Sequence, residues 1–444
     1  MMKKLFQPID NAPLIIFRIF FGFLLAAETF GAILTGWVNE NFIKPQFTFN
    51  HIGMDWLQPL PGIGMYLYFI TMGILGVLVM IGYKYRYSLS AYTVLWTLTY
   101  WMQKTSYNNH YYMLILVCLI MIFLPANRYA SVDVRQNPDI KRLSMPKWCS
   151  LVMILQVAIV YFFATVSKFY PDWLDGTFTK NLLVNKSPIP WIQEIFSQKW
   201  FYLFIAYSGI AFDLLIIPML LWKRTRTIAF VASLIFHLFN AVTLQIGIFP
   251  FFALSFAVFF YPPEKMRKIF FRKKPILDLE KEPVYENKSV LLYFFLPYFI
   301  IQILLPIRHW FIKGDVLWTE EGHRLSWRMM LRSRTGYTVL KVIDKKTNAR
   351  LNFDSIIRLT QKQYNSISDK PDAIWQLAQR IKKEYAKKGI DVSIYADTFV
   401  SINGKPTKQL IDPSVDLASA EWDYFFHNEW ILLYDNQGNK IESK

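Results

Sequence analysis

Along the first three quarters of the chain, apolar residues come in long runs separated by short basic stretches. A helix needs about 20 such residues to cross a bilayer. Nine segments are predicted on this pattern, at 14–35, 64–83, 88–102, 111–126, 148–167, 200–222, 227–245, 247–262 and 290–312. The third, fourth and eighth are short, so each is read as tilted or partly re-entrant. Only Ile246-Gly247 separates the seventh from the eighth, which makes them a tight hairpin or a single broken unit. Lys3 and Lys4 before the first run resemble the start of a signal peptide. Arg18 and Glu28 interrupt that run, however, and it is long for the apolar region of a signal, so it is read as a span.

After residue 312 the pattern changes, and 313–444 holds no long apolar run. Tyr337 to Ile343 alternates like a strand. Pro371 through Lys388 reads as a helix, with Pro near its start and Gly389 just past its end. Val392 to Ile402, a turn at Asn403-Gly404, and Leu410-Ile411 read as a hairpin, and Trp430 to Tyr434 as another strand. The fold class predicted is a polytopic α-helical membrane protein of about nine spans with a C-terminal β-rich α+β extramembrane domain. The domains expected are 1–312 in the membrane and 313–444 on the outer side. No internal repeat is visible.

Composition narrows the class. Apolar residues make up 54% of the 444, aromatics 18% and charged residues only 18%. That excludes a disordered chain, and the runs exclude an ordinary soluble enzyme. The net charge of +17 invites a nucleic-acid reading, but the charge sits mostly in short loops between apolar runs. Two cysteines exclude a disulfide framework, and Cys118 and Cys149 read as buried thiols. Loop charge also sets direction. Lys84 and Arg86, then Arg128, Arg135, Lys141, Arg142 and Lys147, then Lys223, Arg224 and Arg226, then Lys265 to Lys274, all follow even-numbered spans. The alternate loops balance Asp172, Asp175 and Glu194 against Lys180, Lys186 and Lys199. This places the N-terminus inside and the C-terminus outside.

Ionisable groups within spans cost about 2.5–3.5 kcal/mol or more, so each needs a reason. Arg18, Glu28 and Asp213 are read as structural locks between helices. His237 and Asn240, at i,i+3, share a helix face and are candidates to line a site. Lys104-Thr105-Ser106-Tyr107-Asn108-Asn109-His110 leads into the fourth span, either as a solvated cap or as a polar cluster with a role. Lys168 ends the fifth span among aromatic residues. It either snorkels to the interface or is desolvated by its neighbours, in which case a neutral amine could act as a base. The six histidines form no metal-ligand spacing, and no HExxH, CxxC, P-loop or GxSxG motif occurs.

Several stretches together resemble the vitamin K-dependent gamma-glutamyl carboxylase family. They are LIIFRIFFGFL at 14–24, KTSYNNH at 104–110, ANRYASVD at 126–133, VYFFATVSKFYPDWLDG at 160–176, FHLFN at 236–240, SWRMMLRSR at 326–334 and IDPSVD at 411–416. The resemblance runs across nearly the whole chain, in the family's order, and looks like that of a bacterial homologue. It implies an enzyme of the bacterial cytoplasmic (inner) membrane, with its C-terminal domain periplasmic. It also implies a chemistry: a reduced vitamin K or menaquinol-type naphthohydroquinone is deprotonated, reacts with O2 and becomes an epoxide. A glutamate γ-proton is removed, and the carbanion captures CO2. No metal is implied. Lys168 matches the family's initiating base, and His110 a histidine of the carboxylation half. Asn109, His237, Asn240, Tyr107 and Trp327 are the expected quinol- or substrate-binding residues. The partners implied are a glutamate-containing peptide or protein and membrane lipid, with no nucleic acid.

Three positions depart from the animal members: His323 stands at a tyrosine position, Arg328 at an acidic one and Arg332 at a histidine. That region is linked to the glutamyl substrate, so a quinol epoxidase without protein carboxylation is the alternative within the family. A non-enzymatic quinone- or lipid-binding membrane protein is the alternative outside it. A transporter would show repeated halves or paired broken helices, and only one break is seen. The orientation is testable: a reporter fused after residue 444 that works only when exported is expected to be active, and activity of a reporter confined to the cytoplasm would reverse the reading.

Overall fold

The computed structural model describes residues 2–184, 190–244, 247–278, 280, 282, 285, 287–435 and 437–441. Lys186 and Ile246, used above, lie outside the described residues. Each predicted segment holds a helix: α1 (Ala12–Leu34), α2 (Gly64–Ile81), α3 (Tyr85–Met102), α4 (Asn109–Phe123), α5 (Trp148–Val166), α6 (Lys199–Leu221), α7 (Arg226–Leu244), α8 (Phe249–Ser255) and α9 (Leu296–Ile307). Among the described residues, five helical stretches, not nine, are long and apolar enough to cross a membrane. They are α1, α2, α5, α6 and the composite Leu291–Phe311. That composite is a π turn, α9 and a 3₁₀ turn in succession, with Pro306 inside α9. α4 and α8 are shorter, and α3 carries Ser, Thr and Tyr through its length. α8 is prolonged by the 3₁₀ turn Phe256–Phe259.

Small residues bring the first two helices together, as is usual where lipid-like surfaces give no hydrophobic drive. A Cβ on Gly76 of α2 would lie 2.6 Å from the main-chain nitrogen of Ala26 on α1. The α2–α3 turn is tight, with Gly82 and Lys84 both at positive φ. Asp133 then accepts from the N–H groups of Lys84 at 2.7 Å and Tyr85 at 3.1 Å, placing a carboxylate at the start of α3.

The loops sort into two ends. At one end the basic loops gather. Arg18 donates to the carbonyls of Ala126 (2.9 Å), Tyr129 and Ala130 in the 126–131 loop. β1 (Pro8–Asp10) pairs with β2 (Ser144–Pro146), and Lys274 and Arg267 pair with Asp10. At the other end sits the C-terminal region. Its long strands β3 (Arg334–Asp344) and β5 (Val392–Ile402) are antiparallel over their whole length. Two-residue strands β4 (Arg350–Leu351) and β6 (Lys408–Gln409) flank them. The helices are α10 (Gln361–Ile367) and α11 (Pro371–Ala386), and α11 buries Ile374, Leu377, Ala378 and Ile381 in this region's core. Gly389 takes positive φ just beyond α11, and Asn403-Gly404 makes the predicted turn. The strand expected at Trp430 to Tyr434 is only Leu433–Tyr434, because Ile431 forms just a single bridge, to Ile411. The region is β-containing rather than β-rich.

The two parts are interlocked. Phe47 and Phe49, from the α1–α2 connection, belong to the same core as α11 and β5. Lys405 reaches Asp172 at 2.6 Å, and Asn403 reaches it at 2.8 Å. Asp372, at the start of α11, lies between Lys104 at 2.6 Å and Arg324 at 2.5 Å, with Lys104 only 3% exposed. Burial opposes its ionised form, but Arg324 and Lys104 outweigh this and hold the carboxyl well below the usual range. A depressed folded-state value means stabilisation that is present above the unfolded value, about 4. It is lost as pH falls through the folded value. Asp372→Asn leaves buried Lys104 and half-buried Arg324 without their carboxylate and is expected to cost about 3–5 kcal/mol. Thermal unfolding of the variant in detergent should show this at neutral pH, and a gap that does not shrink on acidification would contradict the pairing.

Candidate active site

Lys168 follows the last turn of α5. Its side chain does not snorkel outward: Nζ donates to the carbonyl of Ala164 at 3.2 Å and forms an ion pair with Asp213 of α6. The Trp173 ring centroid is 5.3 Å from the same nitrogen. A buried ammonium needs a counter-charge, and the Asp213 carboxylate, read from sequence as a lock between helices, supplies it.

Seven residues before Lys168, on the same face of α5, stands Tyr161. Its hydroxyl is 3.0 Å from Nε2 of His237 on α7. His237 is 2% exposed, and its Nδ1 has no hydrogen-bond partner. Its ring packs edge-on to Phe249, at 6.2 Å and 77°. Phe249 in turn stacks on His110 at 3.7 Å and 10°, and the Nδ1 of His110 is likewise buried without a partner. One phenyl ring thus separates two imidazoles, each with a free nitrogen. Glu28 of α1 lies close by: a Cβ on Gly247, two residues before Phe249, would be 3.8 Å from its Oε2. Asn240, one turn beyond His237, is half-buried, and among the described residues no hydrogen bond joins it to the pair.

The polar stretch before α4 is not a solvated cap. Asn108 does cap the helix, accepting from Tyr111 N–H at 2.8 Å, but Lys104, Tyr107 and Asn109 hold the C-terminal region. Ser106 donates to Asn41 at 2.6 Å. The Tyr107 hydroxyl donates to Asn109 at 2.9 Å and accepts from the Leu325 N–H at 2.8 Å. Asn109 donates to the Arg328 carbonyl at 3.3 Å. Tyr107 and Asn109 therefore meet the 320–332 loop rather than His110's ring. Trp327 of that loop is 1% exposed, stacks on Tyr112 at 5.1 Å, and leaves its Nε1 unpartnered.

The loop itself is bent. Glu320, Leu325, Trp327 and Met330 all have positive φ, a conformation held only where neighbours impose it and one that clusters at functional sites. Arg332 is paired with Glu320, and its Nη1 lies 3.3 Å from His323. Burial, and then Arg332, keep His323 well below its ordinary value, so it is neutral.

Sequence reasoning missed Tyr161, Trp173, Phe249 and the Arg324–Asp372 pair. The i,i+7 spacing of Tyr161 and Lys168 was a usable signal for the first. Phe249 gave none, being one aromatic residue in an apolar run. Among the described residues no cluster of three His, Cys, Asp or Glu side chains gathers as a metal site. The orphaned nitrogens of His110 and His237 beside aromatic faces do fit a flat, hydroxylated ring.

Residues 6–264 match the HTTM domain family, and residues 287–437 match the vitamin K-dependent gamma-carboxylase lumenal domain family. No solved structure matches the chain. The Lys168–Asp213 pair can be weighed by a mutant cycle. Asp213→Ala is expected to destabilise by about 3–5 kcal/mol, and Lys168→Met with Asp213→Leu to recover most of that loss. A double variant that loses as much as the two single variants together would mean that the two side chains are not coupled.

Proposed function

The chain belongs to the vitamin K-dependent gamma-carboxylase family, and from that premise we propose that it couples oxidation of a membrane-borne naphthohydroquinone by O2 to carboxylation of glutamyl side chains with CO2. The observation that carries this reading is the convergence on one region of Lys168–Asp213, Tyr161–His237 and the Phe249–His110 stack. The apolar helices and the HTTM domain make the chain an integral membrane protein. In this reading the C-terminal end faces outward and the glutamyl substrate approaches from there.

The quinol, when bound, supplies the reducing electrons and the strong oxygen base; the protein positions groups around it. Lys168 is the proposed proton acceptor. As an ammonium paired with Asp213 it is not free to accept. A transfer of its proton to Asp213 gives amine and carboxylic acid, which removes two charges from a poorly solvated site. The amine could then take the quinol hydroxyl proton, leaving an ammonium beside the neutral Asp213 acid, with the quinol oxyanion as its counter-charge. His237, held by Tyr161, and His110, held by Phe249, offer their free nitrogens to oxygen atoms of bound molecules. His110 is assigned to the carboxylation half, where it stabilises charge developing at the glutamyl γ-carbon. Exclusion of water by Phe249, Phe212 and Trp173 protects that strongly basic step.

A second reading, epoxidation without protein carboxylation, draws support from the engagement of Tyr107 and Asn109 with the loop main chain and from the departures at His323, Arg328 and Arg332. One experiment separates the two. Purified protein is given reduced naphthoquinone, O2, a glutamyl peptide and labelled bicarbonate, and epoxide and fixed label are followed separately. Lys168→Ala and Lys168→Arg should both lose epoxide formation, since a guanidinium stays protonated. Wild-type epoxidation by the arginine variant would remove Lys168 as the base. His110→Ala should lower label fixation by roughly 10²–10³-fold and epoxide far less. Epoxide without label from the unaltered protein would leave the second reading standing.

A further inference from the structure

Residues 423–428 form a closed turn between Trp422 and Trp430, which pack in and against the core of the C-terminal region. Asn428 fastens it, accepting from the Asp423 N–H at 2.8 Å and donating to the Asp423 carbonyl at 3.1 Å. The Asp423 carboxylate accepts from the N–H groups of Phe425 at 2.7 Å and Phe426 at 2.9 Å. The hydrogen bonds that shape the turn lie inside it, and its aromatic side chains are left outside. Phe425 is 77% exposed and Phe426 70%, with Tyr424 exposed beside them. Three consecutive exposed rings on a fastened turn form an apolar patch that calls for a partner.

Hydrogen bonds on both sides set the height of this turn along the helices. On one side the Tyr424 hydroxyl donates to the Ile52 carbonyl, and the neighbouring His51 N–H donates to the Trp101 carbonyl, in the last turn of α3, at 3.0 Å. From Ile52 the chain runs through exposed Trp56 and Ile63 into α2, which is long and apolar enough to cross a membrane. On the other side His427 meets Glu321 at 2.7 Å, and Asn428 donates to the same carboxylate at 2.8 Å. Gly322, next to Glu321, rests on the end of the Leu291–Phe311 span: a Cβ there would lie 2.7 Å from the Cβ of His309. Trp310 and Phe311 finish that span and are exposed. The aromatic turn is thus tied to the ends of two spans, at the level where each leaves the lipid, and exposed aromatic residues mark that level at both.

We propose that residues 423–428 are a finger of the C-terminal region seated in the bilayer, with Phe425 and Phe426 in the lipid at the headgroup boundary. This seat is independent of the reaction the chain catalyses. Its continuity with the lipid-facing ends of two spans names the occupant. Glu421, Asp423 and Glu429 flank the rings, so the fitting lipid is zwitterionic rather than anionic. A second copy of the chain fits less well, because three aromatic side chains offer a few hundred Å² where a stable interface buries roughly 1,200 Å² or more. The finger also reaches the bent loop: through Glu321, contact with lipid holds the start of that loop to the bilayer surface as well as to the helices.

The test uses the full-length protein in phosphatidylcholine nanodiscs, one copy per disc. Cys118 and Cys149 are buried, so a cysteine introduced at the surface can be labelled selectively with an environment-sensitive fluorophore. Labels are placed through Phe425→Cys and, separately, Phe426→Cys. Asp391→Cys, at an exposed position of the same region, is the reference in water. Dissolved iodide quenches a label in water, and a nitroxide carried on the upper part of a lipid chain quenches a label in the bilayer. At least one finger label should emit to the blue of the reference, lose most of its intensity to the nitroxide lipid and lose little to iodide. If both finger labels are quenched by iodide as strongly as the reference and spared by the nitroxide lipid, the proposal is overturned. Protection of both labels from both quenchers overturns it as well, because the rings would then be covered by protein.

Discussion

Asp372 is one carboxylate between two cations, and the seating of the C-terminal region on the helices depends on it. Lys104 comes from the end of α3 and Arg324 from the bent loop, so three parts of the chain that are distant in sequence meet at one charge. Loss of the carboxylate would leave both cations unpaired, whereas loss of either cation would leave a neutral pair. The same constraint governs the membrane part. Arg18 is satisfied by three carbonyls and Lys168 by Asp213. Each expensive group therefore fixes a helix or loop to a particular neighbour.

The candidate site is drawn from four helices that each contribute one of its side chains. α5 supplies Tyr161 just before its end, α6 supplies Asp213, α7 supplies His237, and α4 begins with His110. Phe249, at the start of the short α8, stands between the two histidines. Polar groups on separate helices hold their relative positions only if the helices are held, and the tight α1–α2 crossing and the charge pairs do that holding. The bent loop adds Trp327 and Arg328 from the other direction, with positive φ at Glu320, Leu325, Trp327 and Met330 imposed by the helices it rests on.

Apolar runs and turn residues made much of this legible in the sequence. The helix at 371–388 and the turn at Asn403-Gly404 lie where their Pro, Gly and alternation signals put them. Of the nine crossings read, five stretches among the described residues are long and apolar enough to cross, and α4 and α8 are shorter apolar helices. Within the candidate site, the residue types were visible but not their partners. Lys168 and Asp213 are 45 positions apart on different helices, and no periodicity within either helix reports the other. Phe249 was invisible because its role is to separate two rings, and aromatic residues on every span look capable of that. The strained loop was nearly silent, since of its five left-handed residues only Gly322 is a glycine.

Phe47 and Phe49 lie in the core beneath α11, although they precede α2 by many residues. Hydropathy draws a border near residue 312, but inheritance cannot cut the chain there. A C-terminal region transplanted by recombination from a distant relative would arrive without the two phenylalanines that complete its interior. It would also meet foreign residues at positions 104 and 172, where its own acidic and basic groups seek partners. The region is thus not a portable module. Changes in its core and in the α1–α2 connection must have accumulated in step, so that substitutions at Phe47 and Phe49 should track those in α11 and β5 more closely than those in the helices beside them in sequence.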